Sequence, residues 1–148
     1  MAWHLLLLED EASVREAFAL RLRDQGYVVQ TAESGDEALG LLRSFEPDVL
    51  VVDLVMPNFS GLEVLARVKQ LSPALPVIVL TARGTVKDAV EAMRLGAFDF
   101  VAKSIDMDDL LHTLRRATEL LTLQRQVQLH SGQDAARYAL DRVIAKSP

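Results

Sequence analysis

The sequence predicts an α/β domain built on a parallel sheet with helices on both faces. Three observations carry that prediction. Short apolar runs recur at Trp3–Leu8, Tyr27–Thr31, Asp48–Asp53, Pro76–Thr81 and Phe98–Ala102. Segments of helical period separate them. Helix-start and helix-stop residues fall at the junctions. Alternating units of this kind pair their strands in parallel and place the helices on the two faces.

Each element has its own signal. Three of the runs are nearly all apolar, as strands buried on both faces require. In the first helical segment Val14, Phe18 and Leu22 share a face, with Ala17 beside them. Ala38, Leu41, Leu42 and Phe45 give the second apolar stripe. Leu62, Leu65 and Ala66 give the third, with Lys69 at its rim, and Val86, Ala89, Val90 and Met93 give the fourth. Ser34 with Glu37 and Ser60 with Glu63 have capping-box spacing, and Thr85 with Asp88 is a weaker version. Gly26 and Gly96 stand where helices should stop.

The last helix is expected from near Asp106 to about His130, longer than a five-strand domain needs. Leu110, Leu114, Ala117, Leu121, Gln124 and Gln128 form one stripe, and Leu120, Leu123 and Val127 a neighbouring one. The second half has no sheet left to cover, and a two-stranded coiled coil would bury its apolar residues. Ser131 and Gly132 are expected to end the helix. A short helical pattern with Tyr138, Leu140, Val143 and Ile144 follows. The expected organisation is a first domain over 1–120, a linker over 121–132 that continues the last helix, and a short helical segment over 133–148.

Composition narrows the function. Half of the 148 residues are hydrophobic, enough for one domain with a real core. The net charge of −5, with both signs mixed, is no basic nucleic-acid footprint. The chain has no cysteine, so disulfide and thiol chemistry are excluded. The start lacks the pattern of a signal peptide, and no stretch is long enough to span a bilayer. The expectation is a soluble cytoplasmic protein without a membrane partner.

Chemistry collects at the strand ends. The first run ends in Glu9, Asp10 and Glu11, the third in Asp53, and the fourth in Thr81; Lys103 follows the fifth. In a parallel sheet these ends share one edge, where ligands bind. Three clustered carboxylates repel one another unless a cation joins them, and hard oxygen ligands suit Mg²⁺. A lysine and a hydroxyl beside them suit phosphoryl transfer, with Asp53 as the nucleophile. Singly, each residue reads as a cap, an acidic turn or a surface charge. Their joint placement is what points to a site.

The stretches LLLLEDE, VLVVDLVMPNFSG, VIVLTA and GAFDFVAKS, within about residues 4–120, resemble the receiver domain of two-component response regulators. The resemblance implies a flavodoxin-like (βα)5 fold with a five-stranded sheet in the order 2-1-3-4-5. It implies Asp53 as phosphoacceptor, and Mg²⁺ held by Glu9, Asp10, Asp53 and the Val55 backbone carbonyl. Thr81 takes the place of the switch hydroxyl, Lys103 that of the phosphate-contacting lysine, and Phe100 that of the switch aromatic. The implied partner is a sensor histidine kinase, and the implied role a regulatory phosphoacceptor rather than an enzyme. Two residues depart from the family pattern. Glu9 replaces a frequent aspartate. Ser104 follows the lysine where the family usually has a proline joined by a cis bond. Without proline a cis bond costs roughly 3 kcal/mol, so the bond is either trans with a shifted loop or strained.

The run TVKDAVEAMRLGAFDFVAK resembles the receivers of NtrC-like activators of sigma-54 RNA polymerase, and the tail ALDRVIAKSP resembles the start of their AAA+ ATPase domain. This resemblance implies a homodimer through the linker helix and the receiver surface, where Met93, Phe98 and Leu111 lie. Polymerase and DNA would be reached only through domains absent here. No phosphate-binding loop motif is present, so these residues should not hydrolyse ATP. Alternatives are a standalone phosphorelay receiver and a phosphorylation-inactive dimerisation module. A phosphatase of the haloacid dehalogenase kind would need a second aspartate where Val55 stands.

Overall fold

The strand Val49–Asp53 is buried at every position and lies in the middle of the sheet. Its residues are all apolar until the last, so water is excluded along its length. The computed structural model describes residues 2–56, 59–81, 86–103 and 107–133. In chain order the strands are β1 His4–Leu8, β2 Val28–Ala32, β3 Val49–Asp53, β4 Val55–Met56, β5 Phe59–Ser60, β6 Val77–Thr81 and β7 Asp99–Ala102. The helices are α1 Ala12–Asp24, α2 Gly35–Ser44, α3 Gly61–Leu71, α4 Val86–Arg94 and α5 Asp108–Gln133.

The main sheet is parallel throughout and ordered β2-β1-β3-β6-β7. Counting only its own strands, that is the expected order 2-1-3-4-5, and the fold is flavodoxin-like. Strand order reverses between β1 and β3, which makes the crevice beyond their C-terminal ends the natural binding position. The antiparallel hairpin β4–β5 was not foreseen. Its strands have two residues each, too few to show any period.

Strand side chains alternate between the two faces. Leu6, Leu8, Leu50, Val52, Val77 and Val79 join Ala38, Val64, Leu65 and Val68 of α2 and α3 in one apolar cluster. Leu5, Leu7, Val49, Val51, Ile78 and Leu80 point the other way and are equally buried, as are Leu22 of α1 and Leu110 and Leu114 of α5. Each such side chain contributes about 2 kcal/mol through removal from water.

Both expected serine caps form. Ser34 Oγ accepts from the Glu37 N–H at 3.2 Å and Ser60 Oγ from the Glu63 N–H at 3.4 Å. Thr85 lies outside the described residues. Gly26 and Gly96 end their helices with φ of 96° and 102°, where a side chain would strain the backbone.

Three helix faces match the expectation in part. In α1 Leu22 is buried and Val14 and Phe18 are half-buried, as expected, but Ala17 is exposed and Ala19 is buried. In α3 the buried face is Val64, Leu65 and Val68, turned from the Leu62–Ala66 stripe. In α4 the buried residues are Ala89 and Ala92, while Val86, Val90 and Met93 are exposed. Small alanines let a helix approach the sheet closely, and the larger side chains are left on the outer face.

The first compact unit is Met1–Ala117, and α5 continues into a second that begins at Thr118. The helix runs through Ser131 and Gly132 to Gln133 instead of stopping before them. One glycine near a helix end costs only about 1 kcal/mol, too little to stop it. Leu123 and Val127 are exposed. The pattern around Tyr138–Ile144 lies outside the described residues. Among those described, no helix is long and apolar enough to cross a membrane.

Candidate functional site

The main chain brings four strand ends together. Register pairs Asp53 of β3 with Leu80 of β6, and Thr81 of β6 with Ala102 of β7. The Leu54 N–H donates to the Leu80 carbonyl at 2.8 Å and the Lys103 N–H to the Thr81 carbonyl at 2.7 Å. The ladder therefore continues just past the strands and fixes the backbone of the residues that follow them. On the other flank the Glu9 N–H donates to the Ala32 carbonyl at 3.1 Å.

Glu9, Asp53 and Thr81 are buried, and Asp10 and Lys103 are partly exposed. One carboxylate oxygen from each of Glu9, Asp10 and Asp53 lies within 4.8 Å of the others. Lys103 Nζ bridges two of the acids, 2.8 Å from Asp53 Oδ2 and 2.9 Å from Glu9 Oε2. Burial raises the Glu9 carboxyl to about 7, and its hydrogen bond to Asp53 adds to the rise; Lys103 acts against it. For Lys103, burial pulls the ammonium down, but Asp53 and Glu9 together outweigh it and hold the group above its ordinary value. The arrangement is a partly buried acidic cluster whose charge one lysine only partly offsets. It has hard oxygen donors at metal-ligand spacing, so the donor set fits a small divalent cation such as Mg²⁺.

Every expected site residue with a described side chain falls at this edge or beside it. Val55 opens β4 directly after the Asp53–Leu54 turn. Phe100 of β7 is 46% exposed and lines, with Thr81, Val86, Ala89, Val90 and Met93, an apolar groove of about 540 Å³. Ser104 lies outside the described residues, as does its peptide bond to Lys103. The lysine itself is in place.

Two neighbours of the site escaped the sequence reading. Gly61 starts α3 so close to the site strand that a Cβ there would sit 2.6 Å from the Asp53 carbonyl oxygen and 2.7 Å from Leu54 Cα. The signal was the glycine directly after the Ser60 cap, a position where side chains are normally allowed. Arg15, in the first turn of α1, donates from Nη1 to the carbonyls of Glu9 at 3.0 Å and Asp10 at 3.3 Å. In sequence it is one more surface charge.

A flavodoxin-like sheet with an acidic cluster and a lysine at its switch point defines a receiver-type domain. The chain belongs to the response regulator receiver domain family, whose model matches residues 5–115. It is 40% identical over 116 residues to the transcriptional regulatory protein GlrR of Escherichia coli, covering 78% of this chain and 26% of that one. It is 32% identical to the regulatory protein AtoC of the same organism over 145 residues, 97% of this chain and 31% of that one. The crystal structure of NtrX from Brucella abortus superposes with a TM-score of 0.80 at 33% identity, covering 86% of this chain and 29% of that one. The chain thus spans about a quarter to a third of the length of these relatives. Receiver domains are regulatory phosphoacceptors that partner with sensor histidine kinases and bind Mg²⁺ at an acidic pocket.

Proposed function

We propose that this chain is the receiver part of a two-component transcription regulator and that Asp53 is its phosphoacceptor. The observation that carries the reading is the position of the Asp53 carboxylate. It ends a fully buried central strand, 2.8 Å from Lys103 Nζ and within 4.8 Å of oxygens from Glu9 and Asp10. An Asp53 oxygen attacks the phosphorus carried by a histidine of the kinase. A P–O bond forms as the P–N bond breaks, and the histidine leaves with the electron pair. Lys103 offsets charge on the phosphoryl oxygens, and the Thr81 hydroxyl donates a hydrogen bond to one of them. Glu9, Asp10, Asp53 and the Val55 carbonyl would hold Mg²⁺, which when bound would supply further charge neutralisation.

The product is a switch. New charge on Asp53 draws Thr81 inward while Lys103, already beside Asp53, pairs with the phosphoryl oxygens, and Phe100 turns from its exposed position toward the space Thr81 leaves. The face formed by α4, β7 and α5 changes with it. The exposed Leu123 and Val127 on α5 support a homodimer through that helix. The likeness to GlrR and AtoC supports a role in controlling transcription, here assigned to the cytoplasm and to sigma-54 RNA polymerase through further domains.

Phosphate-affinity gel electrophoresis after incubation with acetyl phosphate tests the reading. Retardation is expected for the native protein with Mg²⁺, and none with chelator or for Asp53→Ala. Equal retardation of Asp53→Ala would place the phosphoryl group elsewhere and overturn the assignment.

A further inference from the structure

We infer that Arg15 is a positioning residue for the divalent-cation site, an inference that rests on the function proposed above. Two cation ligands, Glu9 and Asp10, are consecutive residues in the β1–α1 connection, where neither the sheet nor α1 fixes both peptide units. The Glu9 N–H is held by the Ala32 carbonyl at 3.1 Å. Further along, the Glu11 N–H donates to Glu9 Oε1 at 3.4 Å, and the Glu9 and Asp10 carbonyls share one side-chain donor. Arg15 Nη1 donates to both the Glu9 carbonyl at 3.0 Å and the Asp10 carbonyl at 3.3 Å. Those bonds fix the peptide planes on the C-terminal side of each acid, and with them the direction in which each carboxylate leaves the backbone.

The side chain is placed for that task. It is 15% exposed, well covered for an arginine. Its ion pair with Glu33 is long, at 3.8 Å, and Glu33 is 66% exposed, so solvent screens it. The carbonyl bonds are therefore the stronger anchor. A lysine there would bring a compact ammonium on a flexible stem in place of the rigid guanidinium, and so would hold the two carbonyls less firmly.

The guanidinium also acts in the opposite direction. Its positive charge beside the acidic loop repels a cation, so charge alone predicts tighter binding once Arg15 is removed. Positioning predicts weaker binding. Outer partners that orient metal ligands typically change affinity by about 10–100-fold. The two effects have opposite signs, so the direction of the measured change tells which one dominates.

The test is calorimetric titration of Mg²⁺ into the native protein, Arg15→Met, Arg15→Lys and Glu33→Gln, beside thermal melts without metal. Arg15→Met keeps the aliphatic stem and removes the donors. Its Mg²⁺ affinity is expected to fall about tenfold or more, with Arg15→Lys intermediate and Glu33→Gln unchanged. In acetyl phosphate reactions the Mg²⁺ concentration for half-maximal phosphorylation should rise, while the rate at saturating Mg²⁺ stays near native. A purely structural role would lower the melting temperature without that split. Native or tighter affinity in folded Arg15→Met would overturn the inference and leave the proposed function standing. If Arg15→Met does not fold, Arg15→Lys decides: weaker binding supports positioning, and native affinity overturns it. Absence of Mg²⁺ binding by the native protein would overturn both the inference and the function on which it rests.

Discussion

Lys103 Nζ lies 2.9 Å from Glu9 Oε2, although 94 residues separate the two in sequence. The sheet brings them together, because Glu9 follows β1 and Lys103 follows β7. The same ammonium reaches Asp53 Oδ2 on β3, one of the two strands between them. One cation thus ties together the ends of β1, β3 and β7.

Removing that cation should expose the repulsion it offsets. Lys103→Met leaves Glu9 and Asp53 buried without their bridge. Breaking a buried pair by removing one partner costs roughly 3–5 kcal/mol. Glu9 can take up a proton instead, so a loss of about 2 kcal/mol is expected for the metal-free protein. Urea unfolding with and without Mg²⁺ checks this, and the metal should restore part of the loss. An unchanged unfolding midpoint without metal would show that the bridge carries no stability.

The raised Glu9 carboxyl has a defined pH signature. Its folded value of about 7 lies above the ordinary 4.5, so between those limits the folded protein holds a proton that the unfolded chain has lost. Stability of the metal-free protein should therefore fall as pH rises from 4.5 to 7. Lys103, also raised, contributes stability that is lost only as pH rises through its alkaline folded value, outside this window. Glu9→Gln should flatten the slope in urea unfolding measured from pH 5 to 8. An equal slope in both proteins would assign the proton to another group. Mg²⁺ competes with the same proton, so its affinity should weaken as pH falls below about 7.

Gly61→Ala should disturb the site without touching a charged residue. The added Cβ meets backbone atoms of Asp53 and Leu54 at 2.6 and 2.7 Å, and neither can rotate away. Such overpacking costs about 1–3 kcal/mol, more than alanine's better helix propensity returns. Loss of stability together with slower phosphorylation by acetyl phosphate is expected. A neutral or stabilised variant would mean that α3 can retreat from the site strand.

Leu123→Glu with Val127→Glu tests the helix face. Both side chains are exposed, at 59% and 64%, so the receiver fold should tolerate the change. Sedimentation velocity should show a dimer in the native protein and a monomer in the variant, with melting unchanged. A dimer that survives both glutamates would locate the contact elsewhere.

The acidic cluster was legible because each member ends a strand, and a parallel sheet carries all strand ends to one edge. Asp53 stood out as the one charge after four apolar residues of β3. What stayed hidden depends on distance rather than order. Periodicity found an apolar stripe on α4 that includes the buried Ala89, but gave no sign that Ala92 would be buried and Val86, Val90 and Met93 exposed. It marked α3 as amphipathic yet turned its face from Val64 toward Leu62. The contact of Arg15 with two loop carbonyls leaves no spacing pattern, because any arginine one turn into a helix reads as solvated. Gly61 carries no spacing pattern either, since its reason is the 2.6 Å approach to the Asp53 carbonyl.

Everything proposed for this cluster depends on Asp53 taking up a phosphoryl group. Intact-mass measurement of the native protein and Asp53→Ala, after incubation with Mg²⁺ and acetyl phosphate, tests it most directly. One added phosphoryl group is expected on the native protein and none on the variant. A folded native protein that binds Mg²⁺ yet gains no mass would contradict it, and would leave the chain as a dimerising module with a receiver's architecture.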